Sequence, residues 1–475
     1  MCKFKRYTVR KIGECKGHPR IYLDMIDLVL AGFKPGSSYQ REINVETKCI
    51  TLSLADDGQY LVSRKEKGGQ EYPIIDINSS HALKPFEGMQ AIRVVIYNNK
   101  IHILPLASEA KRLKRLQRLS DHLAKGCLET AATSFGGGVL DHASHKGFKD
   151  AGLNASLLLA NEIDEHLLEH AAVANDVITD KTFLISAPMQ EFVQDTWAMQ
   201  HVPEADIFAL GISCSGASIA GKSKLSLPMM ENHERVGHLM ASAIMLINQI
   251  NPSVIVLENV KQYQETASAA ILRNHLRDSG YETQELFLSA KDFGCLENRE
   301  RWFMVASTKG INLDLGQLEP KVYAAPLLAN VLEDVALDAD CWRNFDYLKT
   351  KQKRDADKGN GFNMQTVTPQ SNSVPVLRAG YKKAGSTDAL LTHPSNPDLL
   401  RQFSGIEHAR IKGVPEHLIK GLSETDAHIM LGQGVCYEPV VALFKRIGEQ
   451  LKAWAATNSI VTQCMSFNMR LTATS

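Results

Sequence analysis

One cysteine lies where a thiol could do chemistry. The apolar run Ile207-Phe208-Ala209-Leu210 leads into Gly211-Ile212-Ser213-Cys214-Ser215-Gly216-Ala217-Ser218-Ile219-Ala220-Gly221-Lys222, a loop of small residues. A second run, Val254-Ile255-Val256-Leu257, ends in Glu258-Asn259-Val260. A third segment carries Ala290-Lys291-Asp292-Phe293-Gly294 and then Asn298-Arg299-Glu300-Arg301-Trp302-Phe303. A thiol, a carboxylate and two guanidinium groups at the ends of successive buried strands can attack, protonate and hold an electron-poor heterocycle. A cysteine after a strand is, taken alone, usually a small buried hydrophobe. The order of the three segments singles this one out.

The elements that must position these residues follow from periodicity. Strand-like runs are Ala131 to Phe135, Ser156 to Ala160, Ile207 to Leu210, Val254 to Leu257, Thr283 to Phe287 and Trp302 to Ala306. Helical stretches such as Val236 to Ile250 and Ala267 to Ser279 separate them. The pattern predicts an α/β fold with a doubly wound, mainly parallel, Rossmann-like sheet. Ligands in such sheets bind beyond the carboxyl ends of the strands, where the three segments fall. Thr133-Ser134-Phe135-Gly136-Gly137-Gly138 follows the first run, and glycines there let the backbone approach a ligand. The next run ends in Ala160-Asn161-Glu162-Ile163-Asp164, whose carboxylate can bind ribose hydroxyls.

The order Cys loop, Glu-Asn-Val, Asn-Arg-x-Arg resembles the DNA cytosine-5 methyltransferases, over roughly Leu128 to Leu451. The resemblance implies that S-adenosylmethionine is the cofactor. Phe135, Gly136, Gly137, Gly138, Glu162 and Ile163 would bind it, joined by Gly432, Gly434 and Val435 near the C-terminus. It implies that Cys214 adds to C6 of a cytosine rotated out of duplex DNA, and that Glu258 acts as the acid at N3. Arg299 would stabilise charge near O2, while Arg301 either shares that role or is structural. Gly216, Ser218, Ala220, Gly221 and Lys222 match the loop that closes on DNA in that family. Arg401 to Pro415 resembles its ninth motif through Glu407, Arg410, Gly413 and Pro415. The chain departs from the pattern in several places. Ser213 replaces proline before the cysteine, Glu297 replaces glutamine in Gln-x-Arg-x-Arg, and Gln433 replaces asparagine. Ser186-Ala187-Pro188-Met189 stands where an aspartate is usual. Two alternatives stay open: an RNA cytosine-5 methyltransferase, and a DNA-binding regulator on a decayed methyltransferase scaffold.

The organisation expected is a β-rich domain over residues 1–106, a basic linker helix over 107–127 and a catalytic domain over 128–307. A small recognition region over 308–400 and C-terminal helices over 401–475 follow. Ile21 to Gly36 and the strands after it resemble small AbrB- or SymE-like β-barrel DNA-binding modules, and because the recognition region is short for major-groove reading, 1–106 is expected to contribute DNA contacts. The linker helix carries Lys111, Arg112, Lys114, Arg115, Arg118 and Lys125, either as a solvated face or as a face for DNA phosphates. Of the 475 residues 44% are hydrophobic and 22% charged, as in a globular protein, and Lys+Arg equals Asp+Glu at 53 each. Total charge therefore does not announce nucleic acid, and a DNA surface must come from charge segregation. No apolar run nears the roughly 20 residues that cross a bilayer, and no signal peptide is evident at the N-terminus. Nine scattered cysteines suit a reducing cytoplasm. Cys2, Cys15, His18 and Cys49 fit no zinc-ligand spacing, so no metal is expected. Double-stranded DNA is the partner expected. A cognate restriction endonuclease, a monomeric state and a bacterial, phage or plasmid origin go with that reading.

Overall fold

A computed structural model describes residues 4–214, 216–217, 228–316, 318, 326–359 and 363–472, with the backbone alone for 458–472. The chain divides into two compact units, Met1–Lys114 and Arg115–Ser475.

The first unit is built on an antiparallel sheet in the order Arg6–Lys11, Ala91–Tyr97, Lys100–Pro105, Cys49–Leu54, Ser38–Asn44, Tyr60–Leu61. Ile92, Val94 and Ile96 alternate inward against Ile101, Ile103, Ile50 and Leu52, all fully buried. This is the two-residue period of a half-buried strand. Asn98-Asn99 turns the hairpin between Ala91–Tyr97 and Lys100–Pro105, with Asn99 at φ +59°. A second sheet joins Gly13–Cys15, His18–Leu23, Gln70–Ile77 and Ser63–Lys67.

Helix α1 (Ala107–Ala124) begins in the first unit and ends in the second. It stops short of the 107–127 expected, because Cys127 already belongs to a strand. Two of its basic residues do not form the DNA face considered above. Arg115 is 1% exposed and donates to Thr308 Oγ1 at 2.9 Å, Asn251 Oδ1 at 3.0 Å and Ser279 O at 2.9 Å. Its guanidinium also lies 4.0 Å from the Tyr281 ring centroid. Arg118 pairs with Glu204 and Asp206 and donates to the Ala205 and Asn251 carbonyls.

The second unit carries the sheet that positions the site. Its strands are β1 (Cys127–Thr133), β2 (Asn154–Glu162), β3 (Phe183–Ser186), β4 (Ile207–Gly211), β5 (Val254–Asn259), β6 (Tyr281–Ser289) and β7 (Glu300–Thr308). They lie in the order β3-β2-β1-β4-β5-β7-β6. The first five are parallel, and β7 runs antiparallel to both neighbours. The doubly wound sheet expected from the alternating pattern is present, with its reversal between β1 and β4. Continuous apolar runs such as Ile207 to Leu210 and Val254 to Leu257 are buried along their whole length, as strands covered on both faces must be.

Helices α2 (Val139–Asp150), α3 (Glu165–Ala174), α4 (Leu239–Ile250) and α5 (Ala267–Asp278) link the strands. After β7 come α6 (Gly405–Lys412), α7 (Glu424–Gln433) and α8 (Tyr437–Thr472). Phe148 of α2 meets Phe444 of α8 edge to face, with ring centroids 5.4 Å apart. Between β7 and α6 a small sheet, Gln365–Val367, Ala389–Thr392 and Leu400–Arg401, has its own core around Leu377, Tyr381 and Phe403. The charged run Lys351 to Lys358 lies mostly in the helix Asp346–Asp357. Among the described residues no single helix is long and apolar enough to cross a membrane.

Candidate active site

Strand ends converge at the reversal of the sheet. Beyond β4 the chain passes Ile212 and Ser213 to Cys214, which is exposed. Gly211 permits this path: a Cβ there would lie 3.1 Å from Ser134 Cβ and 3.2 Å from Thr133 O. The cysteine loop thus runs directly against the glycine loop after β1. Ser215 and residues 218–227, including Ser218, Ala220, Gly221 and Lys222, lie outside the described residues.

Register places Glu258 opposite Gly211 on one side and Phe303 on the other. Asn259, 2% exposed, donates from Nδ2 to Ile212 O at 2.9 Å, and its Oδ1 accepts from Val260 N. The residue after the acid therefore fixes the loop that bears the thiol. Arg301 Nε lies 2.9 Å from Glu258 Oε1.

The electrostatics of the three groups are coupled. Burial raises the Glu258 pKa, and Arg301, Arg299 and Lys412 oppose that rise. Protein also crowds the Cys214 thiol; this burial and the Glu258 charge raise its pKa, against Arg301. Burial and repulsion from Arg299 lower the Arg301 pKa. A negative charge on Glu258 therefore works against the Cys214 thiolate.

The two arginines have different surroundings. Arg299 is 2% exposed and donates to both carboxylate oxygens of Glu297, at 2.8 and 3.2 Å, and to the carbonyls of Leu377 and Gly432. Sequence reasoning put Arg299 beside the base; the structure instead turns Arg301 toward Glu258. The reason is Glu297, fully buried, whose charge captures the nearer guanidinium. Glu297 also accepts from Lys412 Nζ at 2.9 Å, Cys436 Sγ at 3.2 Å and Leu377 N at 2.8 Å. Although burial works against it, Arg299 and Lys412 hold the Glu297 carboxyl well below the usual carboxylate range. Lys412, fully buried, reaches on to Gly434 O at 3.1 Å. Sequence reading missed Lys412 and Cys436. An unexpected charge at Glu297 was the available signal, because a buried acid needs a buried base.

At the other end of the site Glu162, 8% exposed, gathers backbone donors. Gly136 N donates to Oε2 at 2.6 Å; Ile163 N and Asp164 N donate to Oε1. Oε2 keeps a lone pair for a ligand hydroxyl. Gly136, at φ +55°, faces open space, and Ile163 is 61% exposed beside it. An acceptor, an open backbone and a bare apolar side chain at a strand's carboxyl end fit a nucleoside-bearing cofactor. The other glycines answer to protein neighbours. A Cβ on Gly137 would meet Met430 at 2.2 Å, one on Gly138 would meet the Phe135 ring at 2.3 Å, and one on Gly432 would meet Ala379 N at 2.2 Å. Phe135 and Val435 are buried within the packing. Asn175 Nδ2 holds the carbonyls of Gly137 and Gly138. Asp141, 4% exposed in the first turn of α2, was also missed; burial pushes its pKa up to about 8.

Beyond the carboxyl edge of this Rossmann-like sheet stand a thiol, an acid and a guanidinium. The family model described as C-5 cytosine-specific DNA methylase matches residues 143–452, and the chain belongs to that family. The type II methyltransferase M1.ScrFI of Lactococcus lactis subsp. cremoris is 28% identical over 261 residues, which span 53% of this chain and 64% of that protein. The type II methyltransferase M.HpaII of Haemophilus parainfluenzae is 26% identical over 270 residues, 53% of this chain and 74% of that protein. Among solved structures, the S. pombe Dnmt2 methyltransferase has the same fold, with a TM-score of 0.52 at 17% identity over 70% of this chain and 99% of that one.

Proposed function

We propose that this chain transfers a methyl group from S-adenosylmethionine to C5 of cytosine in double-stranded DNA. The observation that carries the reading is the Asn259 hydrogen bond, which ties the Cys214 loop to the strand end bearing Glu258, with Arg301 2.9 Å from that acid.

Cytosine C5 is too weak a nucleophile to take a methyl unaided. The Cys214 thiolate adds to C6, forming an S–C6 bond. The displaced electron pair is neutralised as Glu258 gives its proton to N3. Burial shifts Glu258 toward its protonated form, and loss of its charge in turn favours the thiolate. Arg301 lies close enough to Glu258 to stabilise charge developing on the ring. S-adenosylmethionine, when bound, would supply an electrophilic methyl group to C5, its S–CH3 bond breaking to leave the neutral thioether. The C5 proton then leaves, the S–C6 bond breaks to return the thiolate, and N3 returns its proton to Glu258. Glu162 and Ile163 would hold the cofactor's ribose and base, with Gly136 giving the backbone clearance. The target base must leave the duplex stack first, at a cost of a few kcal/mol.

Duplex DNA carrying 5-fluorocytosine tests the reading, because fluorine cannot leave C5 as a proton does. A covalent complex that forms with the native chain, and not with Cys214→Ser, is the expected result. A duplex RNA arm and labelled-methyl transfer separate the DNA enzyme from an RNA enzyme. Absence of any adduct with either nucleic acid would leave the decayed-scaffold alternative standing.

A further inference from the structure

Three side chains outside the site converge although they are far apart in sequence. His142 lies on α2, Asp176 directly follows Asn175 beyond α3, and His417 lies in the turn Glu416–Ile419 after α6. One donor atom from each falls within 4.8 Å of the other two. His142 Nε2 is 3.1 Å from Asp176 Oδ1. The His142 and His417 rings meet with centroids 5.3 Å apart. Asp176 and His417 are exposed and free to adjust, whereas His142 is half-buried and anchored.

The anchor is Tyr437, whose hydroxyl oxygen lies 2.6 Å from His142 Nδ1. Tyr437 is itself 5% exposed. This hydroxyl can serve either tautomer of the ring. With no ion, Tyr437 donates to Nδ1 while Nε2–H donates to Asp176. With an ion, Nδ1–H donates to Tyr437 and the Nε2 lone pair turns to the metal. A hydrogen-bonded far nitrogen is what holds a ligating imidazole in orientation.

We propose that His142, Asp176 and His417 bind one divalent transition cation of the Zn2+ class, with a fourth position open to water. Two imidazoles and one carboxylate suit such an ion; Mg2+ and Ca2+ take oxygen ligands instead. The ion would clip α2 to the turn after α6. It would also brace the glycine loop from behind, since Asn175, next to Asp176, holds the carbonyls of Gly137 and Gly138.

The test uses the full chain, stripped with a chelator that is then dialysed away. Zn2+ is titrated against a chromophoric chelator, and thermal melting is followed with and without the ion. The comparison is an Asp176→Asn/His417→Ala double variant, with His417→Ala alone as a second if the double variant melts lower without ion. The native chain is expected to bind one more equivalent of Zn2+ than the variant and to melt higher with the ion present. Co2+ should give visible ligand-field absorption that the variant lacks, and excess Mg2+ should not compete. Tyr437→Phe should weaken binding about 10–100-fold while preserving the stoichiometry. Equal Zn2+ stoichiometry, affinity and Co2+ spectra in native chain and variant would overturn the proposal. Displacement by Mg2+ would overturn the assigned class of ion.

Discussion

Glu297 is the residue whose replacement reports most directly on how the site is held. It lies fully buried against two buried cations, Arg299 and Lys412, and also accepts from Cys436 and from Leu377 N. Glu297→Gln keeps the shape but strands two positive charges away from water. Breaking a buried ion pair in this way costs about 3–5 kcal/mol. Lys412→Met removes one charge and leaves Glu297 paired with Arg299. The loss there is the Lys412 hydrogen bonds to Glu297 Oε2 and Gly434 O, about 1.5–3 kcal/mol. The double variant carries only Arg299, hydrogen-bonded to the introduced amide oxygen and two carbonyls, so it should recover part of the first loss. A coupling energy of about 2 kcal/mol or more is expected from the four-member cycle. Urea unfolding followed by circular dichroism, with the slope held constant across variants, gives the energies. If Glu297→Gln alone costs less than about 1 kcal/mol, or the two changes simply add, buried charge compensation is not what Glu297 does. Methyl transfer on the same proteins is a second readout. Arg299 and Lys412 hold the carbonyls of Gly432 and Gly434, so Glu297→Gln should also raise the KM for cofactor.

Cys214→Ser should lower methyl transfer at least about a thousandfold, as losing a covalent nucleophile does, with cofactor binding and melting temperature unchanged; retained turnover would refute the nucleophile assignment. Arg301→Ala should cut kcat by about 10²–10³-fold with little loss of stability, whereas Arg299→Ala should chiefly destabilise the fold; the reverse pattern in kinetics and unfolding would return the charge-stabilising role to Arg299. Asp141→Asn should change the pH dependence of stability. The Asp141 pKa is about 8 when folded and about 4 when unfolded, so the folded state binds the extra proton between those values. Stability from Asp141 is therefore fully present below about pH 4 and is lost progressively up to about pH 8. The variant should gain on the native chain over that window by several kcal/mol, at most about 1.4 kcal/mol for each pH step of one. Parallel stability curves from about pH 4 to 9 would show that the carboxyl is not held neutral.

Much of this arrangement was legible before any coordinates. Continuous apolar runs announced strands covered on both faces, and helical stretches between them announced parallel crossovers. The parallel strands β3, β2, β1, β4 and β5 agree with that alternation, whereas β7 joins antiparallel between β5 and β6. Because ligands gather at strand carboxyl ends, Cys214, Glu258 and Glu162 could be placed from their positions just beyond apolar runs. Other features were not legible. Arg299, just before β7, and Arg301, within it, look alike in sequence, and only packing shows that one is enclosed with Glu297 and the other meets Glu258. The glycines of Gly136-Gly137-Gly138 also look alike, yet Met430 and the Phe135 ring occupy the space beside two of them. The basic face of α1 read as one stripe, but Arg115 and Arg118 turn inward to carbonyls and acids that arrive from distant segments.

The division has a physical basis. Hydrophobic periodicity and the small-residue turn after a strand are local properties, so the amino-acid order alone determined that a mainly parallel sheet forms and that Cys214 and Glu258 fall at the carboxyl ends of its strands. The partner of a buried charge is whichever opposite charge the folded chain brings within hydrogen-bonding distance, and Lys412 reaches Glu297 across 115 residues. Tertiary structure alone therefore decided which guanidinium faces the acid, which glycines face a ligand, and that His142, Asp176 and His417 share one point in space.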